Sequence, residues 1–109
     1  MSAYRYVASL DSEVQVPKDG TLSRTLHQEG ALKVVLFAFD AGQELSEHTA
    51  SRPAILEIVS GSADLTLGGD VHRAGPGAWA WMPTHLPHAV KALEPTVMLL
   101  ILLPTPAYA

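Results

Sequence analysis

The sequence predicts an all-β fold of short strands packed as a sandwich or barrel, and three observations carry that reading. Gly and Pro occur eight times each and cut the 109 residues into short pieces. The pieces are apolar or alternating, and turn signals recur between them at the spacing of short strands. No stretch holds a helical period over the roughly 10–12 residues that a helix requires.

The elements follow in chain order. Tyr4–Leu10 comes first, then Thr21–His27 and Leu32–Asp40, with turns at Asp19-Gly20, Glu29-Gly30 and Ala41-Gly42. Val34–Phe39 is the best helical alternative, but its Val and Phe residues and the bounding glycines favour a strand. Ala54–Ser60 ends at Ser60-Gly61. Ala63–Leu67 meets Val71–Ala74 across Gly68-Gly69-Asp70, a hairpin whose glycines supply the positive φ of a tight turn. Leu65 and Leu67 then share one face, and Asp64 and Thr66 the other. Ala78–Met82 follows Gly75-Pro76-Gly77, and Ala89–Leu93 follows Leu86-Pro87. Val97–Leu103 is the longest apolar run; like Ala54–Ser60 it alternates weakly and reads as a strand buried on both faces.

Composition narrows the function. Hydrophobic residues make up 48% and charged residues 17%, which excludes a disordered chain. Eleven acidic residues against seven Lys and Arg give a net charge of −4, so no nucleic-acid partner is expected. The absence of Cys removes disulfides, thiolate metal sites and cysteine nucleophiles. No apolar run approaches the roughly 20 residues of a bilayer helix, and the N-terminus lacks a signal-peptide core, so a cytoplasmic protein with no membrane partner is expected. The length suits one domain over residues 1–109. So small a domain has much surface, and its apolar surplus points to a second copy covering part of it. Val97–Leu103 and the strand that carries Glu57 are the expected faces of such a homodimer.

Chemistry rests on the five His residues, since no Ser-His-acid, phosphate-loop or paired-carboxylate signature occurs. His48 stands six residues after Gly42, near the expected start of a strand, and His85 and His88 follow Pro83 in Met-Pro-Thr-His-Leu-Pro-His. Inward side chains from separate strands of a small barrel converge, and neutral imidazole is the commonest nitrogen ligand for first-row metals. His27 and His72 read as surface or strand-edge residues.

The spacings of Gly42, His48 and Gly61, and of Gly77, Pro83 and His88, resemble the two sequence motifs of the cupin superfamily. The resemblance implies a cupin-type double-stranded β-helix, an antiparallel jelly-roll-like barrel of two packed sheets, usually dimeric. For a metal-binding member it implies an ion held by three His and one Glu. Here the positions of the second His and the Glu are Ala50 and Ala54, the motif Gly is His85, and the closing Asn is Ala92. Glu57 lies three residues past Ala54, on the opposite face of its strand, and does not replace the missing Glu.

The chief expectation is therefore a small-molecule-binding cupin with a pocket centred on His48 and His88. The alternative is a metal-dependent enzyme of dioxygenase, isomerase or decarboxylase type, with one divalent transition metal (Zn, Fe, Mn or Ni) on His48, His88 and His85. A third is acid–base catalysis by His48 or His88, for which Tyr4, Tyr6 and Tyr108 are the only tyrosine partners. Candidate pocket residues are Trp79, Trp81, Met82, Phe37, Phe39, Met98 and, as a carboxylate clamp, Arg52. Trp79 and Trp81 share one face of their strand, which turns either to the cavity or to a dimer partner.

Overall fold

The computed structural model describes residues 3–105. A 3-10 turn, Leu10–Glu13, precedes nine strands: β1 (Thr21–Glu29), β2 (Leu32–Phe39), β3 (Glu44–His48), β4 (Ala54–Ser60), β5 (Ala63–Leu67), β6 (Asp70–Ala74), β7 (Trp79–Met82), β8 (His88–Ala92) and β9 (Thr96–Leu102). They form two antiparallel sheets, one of order β1-β2-β9-β4-β7 and one of order β3-β8-β5-β6. This is the expected sandwich-like barrel, and Val34–Phe39 is strand rather than helix.

Alternation builds the interior. Ala54, Leu56 and Ile58 of β4 point inward, in register with Leu102, Leu100 and Met98 of β9, while Ile55, Glu57 and Val59 face out. The second sheet contributes Ala63, Leu65, Ala74, Val90 and Ala92. Phe39, Leu56 and Ile58 are fully buried, each worth about 1.5–3 kcal/mol against exposure. The outer face of the five-stranded sheet carries a second apolar cluster of Leu26, Leu36 and Val97, onto which Leu10, Val14 and Val16 pack. The segment before β1 is thus a cover for that face.

Two expectations need correction. Tyr4–Leu10 is not a strand: Tyr4 and Tyr6 stand 79% and 76% exposed, because no sheet edge pairs with the segment. In contrast, β3 is a strand that hydrophobicity does not announce. It is a mostly exposed edge element held by pairing with β8, so His48 ends a strand instead of beginning one. Among the described residues no helix is long and apolar enough to cross a membrane.

The two outer faces differ in chemistry. On the four-stranded sheet Glu44, Lys91, Asp64 and Arg73 lie side by side across β3, β8, β5 and β6, an alternating ladder of charge in which Arg73 Nε donates to Asp64 Oδ1 at 2.8 Å. Cross-strand opposite charges of this kind suit a solvent-facing sheet. At the start of β1, the Asp40 carboxylate accepts the N–H groups of Asp19 and Ala41 at 2.7 and 2.9 Å, and these bonds, that from Asp19 foremost, hold its pKa below the ordinary aspartate value.

Gly61 is the tightest point of the fold. Its φ is +84°, and a Cβ there would stand 2.7 Å from Thr96 Cα and against the Pro95 carbonyl. Thr96 is fully buried, and its hydroxyl lies 2.9 and 2.7 Å from the Ser62 and Glu94 carbonyls, donating to one of them. Gly61→Ala is therefore expected to destabilise by about 2–4 kcal/mol in urea unfolding, through the left-handed backbone and an obstruction that no rotamer relieves. Gly69→Ala, with nothing within 4 Å of the added carbon, is expected to be nearly neutral in the same measurement.

Candidate functional site

The site lies at the end of the sandwich where β3 passes to β4 and β7 passes to β8. His88 opens β8 and points inward with Val90 and Ala92; it is 8% exposed. Its register partners are His48 on one side and Leu67 on the other. The pairing of β3 with β8 shifts by one residue between Leu45 and His48. Without that bulge Glu47 would oppose His88; the extra residue turns His48 to the inner face instead. The two imidazoles then lie with ring centroids 4.2 Å apart and planes tilted by 60°.

Both rings are anchored alike. His48 Nδ1 lies 2.8 Å from the Ser46 carbonyl, and His88 Nδ1 lies 2.9 Å from the Leu86 carbonyl. A carbonyl oxygen only accepts, so each Nδ1 carries a proton, and in the neutral ring Nε2 keeps its lone pair. Neither Nε2 has a protein hydrogen-bond partner among the described residues. No buried side-chain nitrogen or oxygen lacks a partner there, so the His88 Nε2 remains reachable from solvent. The carbonyls of Ser46 and Leu86 are functional groups that a residue-type search misses, and the i, i−2 spacing becomes informative only once β3 and β8 are located.

The other expected residues separate from this pair. His85 sits exposed in the turn after β7 with φ +68°, the left-handed conformation that the motif Gly would supply, and its N–H donates to the Ala50 carbonyl at 2.8 Å. Among the described residues no group of three or more His, Asp or Glu is placed to hold a metal, so His85 does not complete a site with His48 and His88. The donor set does not fit the metal that the motif resemblance implies, because catalytic zinc takes three protein ligands and structural zinc four.

Phe39, Met82 and Met98 were expected to line a cavity, but they are at most 2% exposed within the packed interior, so they fill it. Phe37 packs against the same cluster, its ring stacked on Phe39 at 5.9 Å. Trp79 and Trp81 turn outward, 59% and 53% exposed, because Met82 and Ala80 take the inward positions of β7. Arg52 turns to the backbone: its Nη1 donates to the Ala31 carbonyl in the β1–β2 turn. His27 and His72 are partly exposed and exposed, as expected. Tyr4 and Tyr6 line a crevice of about 670 Å³ with Arg5, His27 and Glu29, to which neither His48 nor His88 contributes. Tyr108 lies outside the described residues.

Solved structures resemble this one closely. A conserved protein of unknown function from Streptococcus pyogenes is 35% identical, with 97% of this chain and 93% of that chain covered and a TM-score of 0.85. A cupin superfamily protein from Desulfitobacterium hafniense is 25% identical over 92% of each chain, with a TM-score of 0.84. A cupin 2 conserved barrel domain protein from Leptotrichia buccalis is 27% identical, covering 87% of this chain and 46% of that one, with a TM-score of 0.81. No protein-family model matches the chain, and no curated protein matches it.

The backbone at His85 generates a prediction. A side chain at φ +68° stores strain that glycine relieves, so His85→Gly is expected to raise stability by about 1 kcal/mol in thermal or urea unfolding. A loss of stability would show that the imidazole itself holds the turn.

Proposed function

The chain belongs to the cupin superfamily, and from that premise we propose that it binds a small molecule at the mouth of the barrel, with His48 and His88 as the centre of contact. The observation that carries this reading is the opposed imidazole pair, held by two backbone carbonyls and free at both Nε2 atoms. Its surroundings at this end are apolar, with Leu67, Leu86 and Leu102 packed on the core. A few oriented polar groups on an apolar wall are the usual composition of a small-ligand site. The filled interior keeps the ligand at the rim, within reach of the exposed His48 and the inward His88.

Among the described residues the metal-dependent reading finds no third ligand for the pair. For acid–base catalysis, Tyr4 and Tyr6 line a different crevice, so among the described residues neither tyrosine serves the pair as an acid. The ligand-binding reading is tested by thermal-shift and calorimetric screening of small polar organic compounds against the wild type, His48→Ala and His88→Ala. At least one compound is expected to stabilise the wild type, with the effect lost in both variants. Equal stabilisation of the variants, or no stabilising compound, would overturn the reading.

We also infer a homodimer formed through the outer face of the five-stranded sheet. Trp79 and Trp81 stand there in register with Glu57 and Ile55, and the row continues to Ile101, outside the apolar cluster that the segment before β1 covers. The opposite outer face carries the charge ladder and suits water. Sedimentation is expected to give twice the chain mass, and Trp79→Ser/Trp81→Ser is expected to sediment as a folded monomer. A wild-type monomer would refute this.

A further inference from the structure

Resting on the ligand-binding reading, we propose that the His48–His88 pair is a metal-free double acceptor, whose occupant is an organic molecule bearing two or more O–H or N–H donors. Three observations meet here. The first is the shared tautomer. With both Nδ1 protons committed to the Ser46 and Leu86 carbonyls, each ring in its neutral form presents the Nε2 lone pair. Two acceptors 4.2 Å apart between ring centroids cannot satisfy each other, so the donors come from outside the protein.

The second observation is the local loss of metal ligands. Ala50 and Ala54 occupy the positions of the motif's second His and Glu, Ala54 is buried among apolar side chains, and no third His, Asp or Glu joins the pair among the described residues. A divalent ion would have two protein ligands here, fewer than such ions hold in stable sites. The third observation concerns anions. A carboxylate would bring acceptors to acceptors, and the Arg52 Nη1 donates to the Ala31 carbonyl in the β1–β2 turn. A hydroxyl or amine reverses both mismatches. Its donors meet Nε2, and its carbon skeleton lies toward Leu67, the neighbour of His88 across β5 and β8.

The test is long-range proton–nitrogen NMR of the imidazoles in the full chain, with four probes: glycerol, ethanolamine, succinate and Zn(II). Both rings are expected to show the Nδ1–H tautomer. Glycerol or ethanolamine is expected to shift the Nε2 resonances of both His48 and His88, while succinate leaves them in place. Ala50→His, at a half-buried position that accommodates a larger side chain, supplies the missing ligand. It is expected to raise Zn(II) affinity at least ~10-fold over wild type. An Nε2–H tautomer at either ring would overturn the proposal. So would succinate acting as strongly as glycerol and ethanolamine, or wild type binding one equivalent of Zn(II) as tightly as Ala50→His. In those cases the ligand-binding reading survives. If no probe of any class perturbs either ring, both fall.

Discussion

Side chains on a strand alternate between faces, so two residues on neighbouring strands share a space only when their register allows it. At the mouth of this barrel, register depends on one extra residue in β3. Leu45 faces Val90, and strict alternation from there would set Glu47 opposite His88. The bulge replaces that carboxylate with His48. The register of β8 is in turn fixed from both sides. Val90 and Ala92 need the interior, Lys91 needs the charged outer face, and β8 is bonded to β3 and β5 at once. A slip by one residue would expel His88 and bury Lys91, so the core and the surface ladder together hold the imidazole in place.

Much of this was legible in the sequence, for physical reasons that can be named. Strands β4, β5 and β9 show in composition because they are apolar on one or both faces and bounded by Gly or Pro. The β5–β6 hairpin shows because Gly68 must take a positive φ, which it does at +61°. The opposite faces of Ala54 and Glu57 followed from alternation alone. What was hidden lay where pairing overrides pattern. Strand β3 is polar and held by its neighbour. The arm before Leu10 has the alternation of a strand and no edge to join. Alternation puts Trp79 and Trp81 on one face, but the choice of face is made by Met82, whose long side chain completes the core. The pairing of His48 with His88 was expected from the motif spacing, whereas the bulge that creates it leaves no mark in residue type.

The same contrast explains how a site changes chemistry without changing the fold. The glycines at Gly42, Gly61 and Gly77 all have positive φ, a conformation strained for any other residue, and at Gly61 a side chain would also meet Thr96 and Pro95. Ala50 and Ala54 carry no such duty, and small apolar residues there let the interior close under the histidines. His85 is the intermediate case. It keeps the left-handed turn of a glycine position while adding an exposed imidazole. Backbone geometry is thus retained where the barrel depends on it, and side-chain chemistry varies at its mouth.

The sheet order has a consequence for biosynthesis. In the five-stranded sheet β9 lies between β2 and β4, with its hydrogen bonds running to both. As the chain leaves the ribosome, β1–β2 and β4–β7 can each pair early, but their open edges and the apolar residues Phe37, Leu56 and Ile58 have no cover until β9 arrives. Until β9 is made, the nascent chain can hold at most two partial sheets with adhesive borders, a condition that exposes it to chaperone capture before closure.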